Sequence, residues 1–115
     1  MVTIYHHPKC KKSREGLEYL KSRTSQVKVR EYLSDLLTSG ELDEILLKSG
    51  SKPSDLIRHQ EEIFKRELKG RNFTDEEWKR IILENPKLLV RPIVVGKYKA
   101  VFAQPAERVN EVLGK

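Results

Sequence analysis

The order of strand-forming and helix-forming segments near the start of the chain constrains its fold most strongly. Residues Val2–Tyr5 are mostly β-branched or aromatic, and such residues favour strands. A His-Pro pair ends this segment, and apolar or small residues then recur at helical spacing from Lys11 to about Ser22. A second strand is predicted at 27–32. Because a helix joins the two strands, we expect a β-α-β unit with parallel strands and a right-handed crossover.

The middle of the chain, at about 34–85, contains three amphipathic helical patterns. The pair Thr74 and Glu77 is a capping box, and Ser39 and Ser54 are predicted to cap the other two helices. These three predicted helices span residues 41–48, 53–66 and 74–84.

The last third of the chain returns to strand-forming residues. Gly96–Lys99 separates two β-rich runs and is typical of a hairpin turn, and Pro105 is predicted to begin a helix that ends near Leu113. The resulting order, β-α-β, helices, β-β-α, is that of a thioredoxin-like (glutaredoxin-like) α/β fold. We expect a small mixed four-stranded sheet with flanking helices. We also predict a single domain over 1–115, with a helical insertion between its halves at about 34–85.

Composition limits where the chain works. No apolar stretch approaches the roughly 20 residues of a membrane span, and the N-terminus lacks the apolar region of a signal peptide. One cysteine among 115 residues fits a reducing compartment and leaves any disulfide to a second molecule. We therefore expect a cytoplasmic protein without a membrane partner.

The net charge of +6 favours an anionic partner. Nucleic acid is one candidate and a small oxyanion is another, because acidic residues interleave with the basic ones along the chain. The sequence has no motif that combines aromatic and basic residues for base stacking, which argues against nucleic acid.

Cys10 lies between a strand end and a helix start, beside Lys9, Lys11, Lys12 and Arg14. Free amide groups at a helix N-terminus and nearby cations both stabilise a thiolate, so this pattern favours a reactive cysteine over an inert buried one. The same arrangement predicts an oxyanion site that includes Arg14.

The residues around Cys10 suggest further roles. Ser13 is predicted either to donate a hydrogen bond to the sulfur or to cap the helix, and the alternatives stay open. His6 is predicted to reach Cys10 or to help set its ionisation, whereas His7 is interpreted as an exposed loop residue. One cysteine and two adjacent histidines are too few ligands for zinc, so we predict no metal site.

The run from Tyr5 to Arg14 resembles the Y-H-N-P-x-C-x-x-S-R signature of ArsC-type arsenate reductases, and Arg91 begins a run similar to their R-P-I-V-V motif. The resemblance implies a cis Pro92. It also implies that Cys10 is the nucleophile and that Arg58 and Arg91 bind the oxyanion. Gln104 stands where the family has a third arginine, and it can donate a hydrogen bond but supplies no charge.

The resemblance also implies partners. Arsenate would be the substrate, glutathione the co-substrate and glutaredoxin the recycling protein, with no bound cofactor. Two alternatives stay open: an Spx-like regulator that binds RNA polymerase, and a general glutathione-linked thiol oxidoreductase. Spx-like proteins usually carry Cys-x-x-Cys, whereas Ser13 occupies the place of the second cysteine here.

Overall fold

The computed structural model of the protein describes residues 1–114, whose four strands form one mixed sheet in the order β2-β1-β3-β4. Strand β1 pairs parallel with β2, while β3 pairs antiparallel with both β1 and β4. This is the mixed sheet predicted from the sequence. The strands are β1 (Val2–Tyr5), β2 (Val27–Arg30), β3 (Ile93–Val95) and β4 (Ala100–Phe102).

Helix α1 is the crossover between β1 and β2, α2 and α3 belong to the insertion, and α4 follows the β3-β4 hairpin. Within residues 1–114, none of the helices is both long enough and apolar enough to cross a membrane. The helices are α1 (Lys11–Arg23), α2 (Ser39–Ser49), α3 (Asp75–Glu84) and α4 (Val109–Leu113).

The sheet has an apolar cluster on each face. Alternate residues of a strand point to opposite faces, so Ile4 and Val94 pack on one side while Tyr5 and Ile93 pack on the other. The first side is closed by α1 and α4 through Leu20 and Val109, and the second by the insertion. Both faces of this short sheet are therefore buried.

Of the caps predicted for the insertion, the one on α3 is confirmed and the one on α2 is wrong by one residue. The Thr74–Glu77 capping box of α3 is present. The prediction that Ser39 caps α2 is wrong, because the side chain of Thr38 accepts the hydrogen bond from the Glu41 N–H at 3.1 Å. The N-cap therefore lies one residue before the predicted one, and Ser39 is the first residue of α2.

The continuous helix predicted at 53–66 is wrong. A 3-10 turn covers Pro53–Leu56, and Ile57 then pairs with Leu89 in an isolated antiparallel bridge. Around this bridge the Arg58 N–H donates to the Leu88 carbonyl at 2.7 Å, and the Val90 N–H donates to the Leu56 carbonyl at 2.9 Å. These long-range bonds replace the helical ladder, and only a π-helical turn, Phe64–Leu68, follows.

Three smaller predictions also differ from the structure. The cap predicted for Ser54 is wrong, since the Asp55 carboxylate accepts from the Lys52 N–H. The second strand stops at Arg30 because the chain turns at Glu31. The last helix begins as a 3-10 turn, Ala106–Arg108, before continuing as α4.

Candidate active site

Cys10 is the N-cap residue of α1, in an extended conformation, at the end of the loop that follows β1. Its N–H donates to the His7 carbonyl at 3.0 Å, and its carbonyl accepts from the Arg14 N–H at 3.0 Å. The side chain is half-buried. The thiol therefore lies at the first free amides of a helix, as the sequence indicated.

The pKa of the Cys10 thiol is lowered from its ordinary value. Burial alone would raise this pKa, but the Ser13 N–H, the Arg91 guanidinium and the Lys12 N–H together stabilise the thiolate and outweigh the burial. The principal cation is thus Arg91, which is distant in sequence, and the contribution of Lys12 comes through its backbone N–H.

A cleft of about 360 Å³ opens beside Cys10. Its lining includes Arg58, Arg91 and Gln104, three of the four residues predicted to bind an oxyanion, together with Lys12. They come from the insertion, the turn before β3, the loop after β4 and the first turn of α1. The fold thus places cations and a thiolate-stabilising helix terminus at one concave surface.

Arg91 is half-buried at the entrance to β3, and its peptide bond to Pro92 is cis, as predicted. Its guanidinium donates to the Lys87 carbonyl at 3.4 Å, and among residues 1–114 its buried Nε has no hydrogen-bond partner. The Gln104 amide donates to the Arg91 carbonyl at 2.9 Å. Gln104 therefore holds the main chain that carries Arg91 and brings no charge to the cleft.

Arg58 follows the bridge residue Ile57 and forms an ion pair with Glu61. The two side chains are 17% and 24% exposed, so this pair is better shielded than a surface ion pair. The bridge to the segment before Arg91 positions Arg58 at the cleft, which explains why this arginine lies outside any helix.

The structure corrects the roles predicted for three neighbours of Cys10. Ser13 is buried, and its Oγ accepts from the His7 N–H at 3.0 Å and shares a 2.7 Å hydrogen bond with His6 Nδ1, so its hydroxyl neither caps α1 nor contacts the sulfur. His6 is thus bound to Ser13. His7 is half-buried, and burial lowers the pKa of both histidines, which favours their neutral forms near neutral pH.

Arg14 is the predicted oxyanion ligand that lies outside the cleft. It is exposed, and its guanidinium donates to the Pro8 carbonyl at 3.0 Å. Arg108, one turn beyond Gln104, also points elsewhere, to the Phe102 carbonyl and Glu111. In residues 1–114 no three His, Cys, Asp or Glu side chains converge on a point where a metal ion could bind.

Two residues of the site were missed from the sequence. Tyr32 is fully buried, and burial raises the pKa of its phenol, an effect that the neighbouring Arg91 partly offsets. Glu61 is one of the acidic residues that interleave with the basic ones along the chain, and it lies three residues after Arg58. That spacing was the available signal for Glu61, whereas Tyr32 reaches Arg91 only through the tertiary fold.

Comparisons with known proteins agree with this geometry. The uncharacterized protein YfgD of Escherichia coli is 36% identical over 115 residues, which is 98% of this chain and 97% of YfgD. An arsenate reductase of Haemophilus influenzae is 34% identical, with coverage of 97% of this chain and 98% of the relative. The structure of an arsenate reductase from Vibrio cholerae has a TM-score of 0.89 at 34% identity and matches 96% of each chain.

The thioredoxin-like fold predicted from the element order is thus shared with solved structures over almost the whole chain. The sequence model of the ArsC family matches residues 5–112, a range that contains Cys10, Arg58 and Arg91. The chain therefore belongs to the ArsC family.

Proposed function

We propose that this protein reduces arsenate with Cys10 as the nucleophile and glutathione as the second thiol. The observation that carries the proposal is the meeting of a thiol of lowered pKa with two arginines in one cleft. A thiolate is the nucleophilic form of cysteine, and guanidinium groups bind oxyanions through paired hydrogen bonds. The arsenate reductases among the relatives support the choice of substrate.

The first step forms a bond between the Cys10 sulfur and arsenic. The thiolate attacks arsenate, an oxygen of arsenate leaves as water after protonation, and the arginines hold the remaining oxygens. Arg91 serves both the thiolate and the oxyanion, because it lies beside the sulfur and lines the cleft. Guanidinium charge matters most as negative charge accumulates on the oxygens during attack.

Reduction of As(V) to As(III) takes two electrons, and two thiols supply them when they become one disulfide. The chain has a single cysteine, so the second thiol must come from another molecule. Glutathione attacks the Cys10 sulfur, arsenic leaves with the electron pair as arsenite, and a mixed disulfide remains on Cys10. A further thiol, from glutaredoxin, then releases Cys10 by disulfide exchange.

A second candidate is thiol-disulfide exchange without an oxyanion. It is favoured by Gln104, whose amide is bonded to the Arg91 carbonyl and adds no positive charge for a substrate. A mixed disulfide with glutathione would need the reactive Cys10 but not a highly charged cleft. The two candidates differ in whether arsenate is consumed.

The test is arsenate reduction by the purified protein with glutathione and glutaredoxin, followed by the formation of arsenite. We expect turnover by the unaltered chain and none by Cys10→Ser, because a serine hydroxyl is not ionised near neutral pH. Gln104→Arg should increase turnover at low arsenate by adding a cation at the cleft. Rapid exchange of Cys10 with glutathione disulfide without arsenite formation would support the second candidate and refute the first.

A further inference from the structure

The cations of the Cys10 cleft differ in how far their charge is already compensated. Lys12 forms an exposed ion pair with Glu15 at 3.7 Å, and Arg58 forms a shielded pair with Glu61. Within residues 1–114, Arg91 forms no ion pair; it donates to a carbonyl of the main chain, and its positive charge favours the Cys10 thiolate. An anion that enters the cleft therefore meets one uncompensated guanidinium and one that a carboxylate already occupies.

The carboxylate of Glu61 is fixed from outside the cleft. The Glu61 N–H donates to the Arg58 carbonyl at 3.3 Å, and the Glu61 carbonyl accepts from the Lys65 N–H at 3.2 Å, so a tight turn keeps the main chain of the acid next to its arginine partner. Glu61 lines a separate depression with Leu33 and Pro86 and is not among the residues that line the Cys10 cleft. Arg58 thus lines the Cys10 cleft while its guanidinium is paired with a carboxylate from outside the lining of that cleft.

We propose that Glu61 competes with the oxyanion for the Arg58 guanidinium and so limits how tightly the cleft holds a doubly charged anion. The inference rests on the proposed function only in taking the Cys10 cleft as the oxyanion site. A guanidinium has five N–H donors in a fixed plane, and a carboxylate on Nη1 occupies part of the fork that a bidentate oxyanion requires. Glu61 also lowers the net positive charge that the anion meets.

Glu61 acts through Arg58 and is therefore a positioning residue. Glu61→Gln keeps the size of the side chain but removes the charge, so the Arg58 guanidinium, which lines the cleft, no longer has a competing anion. We expect this variant to bind a doubly charged oxyanion about 3- to 10-fold more tightly, since a partly exposed ion pair is a weak competitor of this order. In arsenate turnover the gain should appear as a lower KM with little change in kcat.

Sulfate is the probe, because it is doubly charged and does not react with thiols. Its affinity is measured as protection of Cys10 from alkylation by iodoacetamide, with the rate in sulfate divided by the rate without it for each variant. Glu62→Gln is the matched control: it removes the same charge one residue away, from a side chain that is exposed and forms no ion pair within residues 1–114. We expect sulfate to protect Cys10 of the control variant at the same concentration at which it protects Cys10 of the unaltered chain.

A second pair of variants, Arg58→Gln with and without Glu61→Gln, separates competition for donors from the effect of charge alone. If Glu61 acts by occupying Arg58, Glu61→Gln should give little gain in an Arg58→Gln background; an equal gain in both backgrounds would overturn the proposal. Unchanged sulfate binding by Glu61→Gln alone would also overturn the proposal, and weaker binding would overturn it and identify Glu61 as a residue that preorganises Arg58. The expected sulfate pattern without arsenate turnover would refute the proposed function and leave this inference standing.

Discussion

The two regions that meet at the cleft are built differently. The Cys10 loop and the Arg91–Pro92 turn are both attached to the central sheet, next to β1 and β3. The segment from Pro53 to Leu68 consists of a 3-10 turn, one bridge pair and a π-helical turn. The first region contributes the thiol and the cation that stabilises it, and the second contributes Arg58 with its own counter-charge.

This difference separates the chemistry of the cleft from its affinity for an anion. Ionisation of Cys10 depends on the amides of α1 and on Arg91, which lies in the turn directly before β3. Arg58 is held by hydrogen bonds between two irregular segments, and Glu61 compensates its charge. We infer that the sheet fixes the reactive thiol, while the insertion adjusts how strongly a substrate is bound.

The largest expected effect follows from removing Arg91, with Arg58 removed separately for comparison. Arg91→Ala should raise the pKa of the Cys10 thiol, so its alkylation slows at neutral pH and approaches the unaltered rate only above both pKa values. The KM for arsenate should rise about 10- to 100-fold, because a hydrogen bond to a charged group contributes about 1.5–3 kcal/mol. Iodoacetamide rates across pH and steady-state kinetics measure the two effects.

Arg58→Ala is the comparison for that experiment. Its alkylation profile should stay close to that of the unaltered chain, with a smaller rise in the KM for arsenate, because Glu61 already compensates the charge that is lost. An equal displacement of the pH profile by both variants would contradict the separation of roles between the two regions.

The contrast between the region attached to the sheet and the irregular segment of the insertion also explains what the sequence could predict. Val2–Tyr5, α1 and the hairpin follow from local patterns, and the Cys10 setting follows from its place between a strand and a helix. The bridge between Ile57 and Leu89 depends on residues 32 positions apart, so helical periodicity at 53–66 was misleading. For the same reason Arg91 was known as a site residue only by resemblance, and Tyr32 was missed.

A glycine substitution tests how tightly the regular region is packed. A Cβ added to Gly16 in α1 would lie 2.6 Å from Pro92 Cγ, next to Arg91, whereas a Cβ at Gly40 in α2 meets no heavy atom within 4 Å. Gly16→Ala should lower the free energy of unfolding by about 1–3 kcal/mol through overpacking. Gly40→Ala should raise it by up to about 1 kcal/mol through helix propensity. Urea denaturation measures both changes. If Gly16→Ala were stabilising, the Pro92 turn would have to shift at little cost to accommodate the added methyl group.

The smallest expected effect lies within the insertion, where α2 is regular although its neighbour at 53–68 is not. Thr38→Ala removes the side-chain acceptor for the Glu41 N–H and should lower the free energy of unfolding by about 1 kcal/mol. Ser39→Ala changes the first helical residue without removing a cap, so its effect should stay within about 0.5 kcal/mol. Urea denaturation of both variants shows which of the two residues is the N-cap of α2. A larger loss for Ser39→Ala would mean that α2 starts where the sequence pattern indicated, and that the local capping signal outweighs the packing of the insertion.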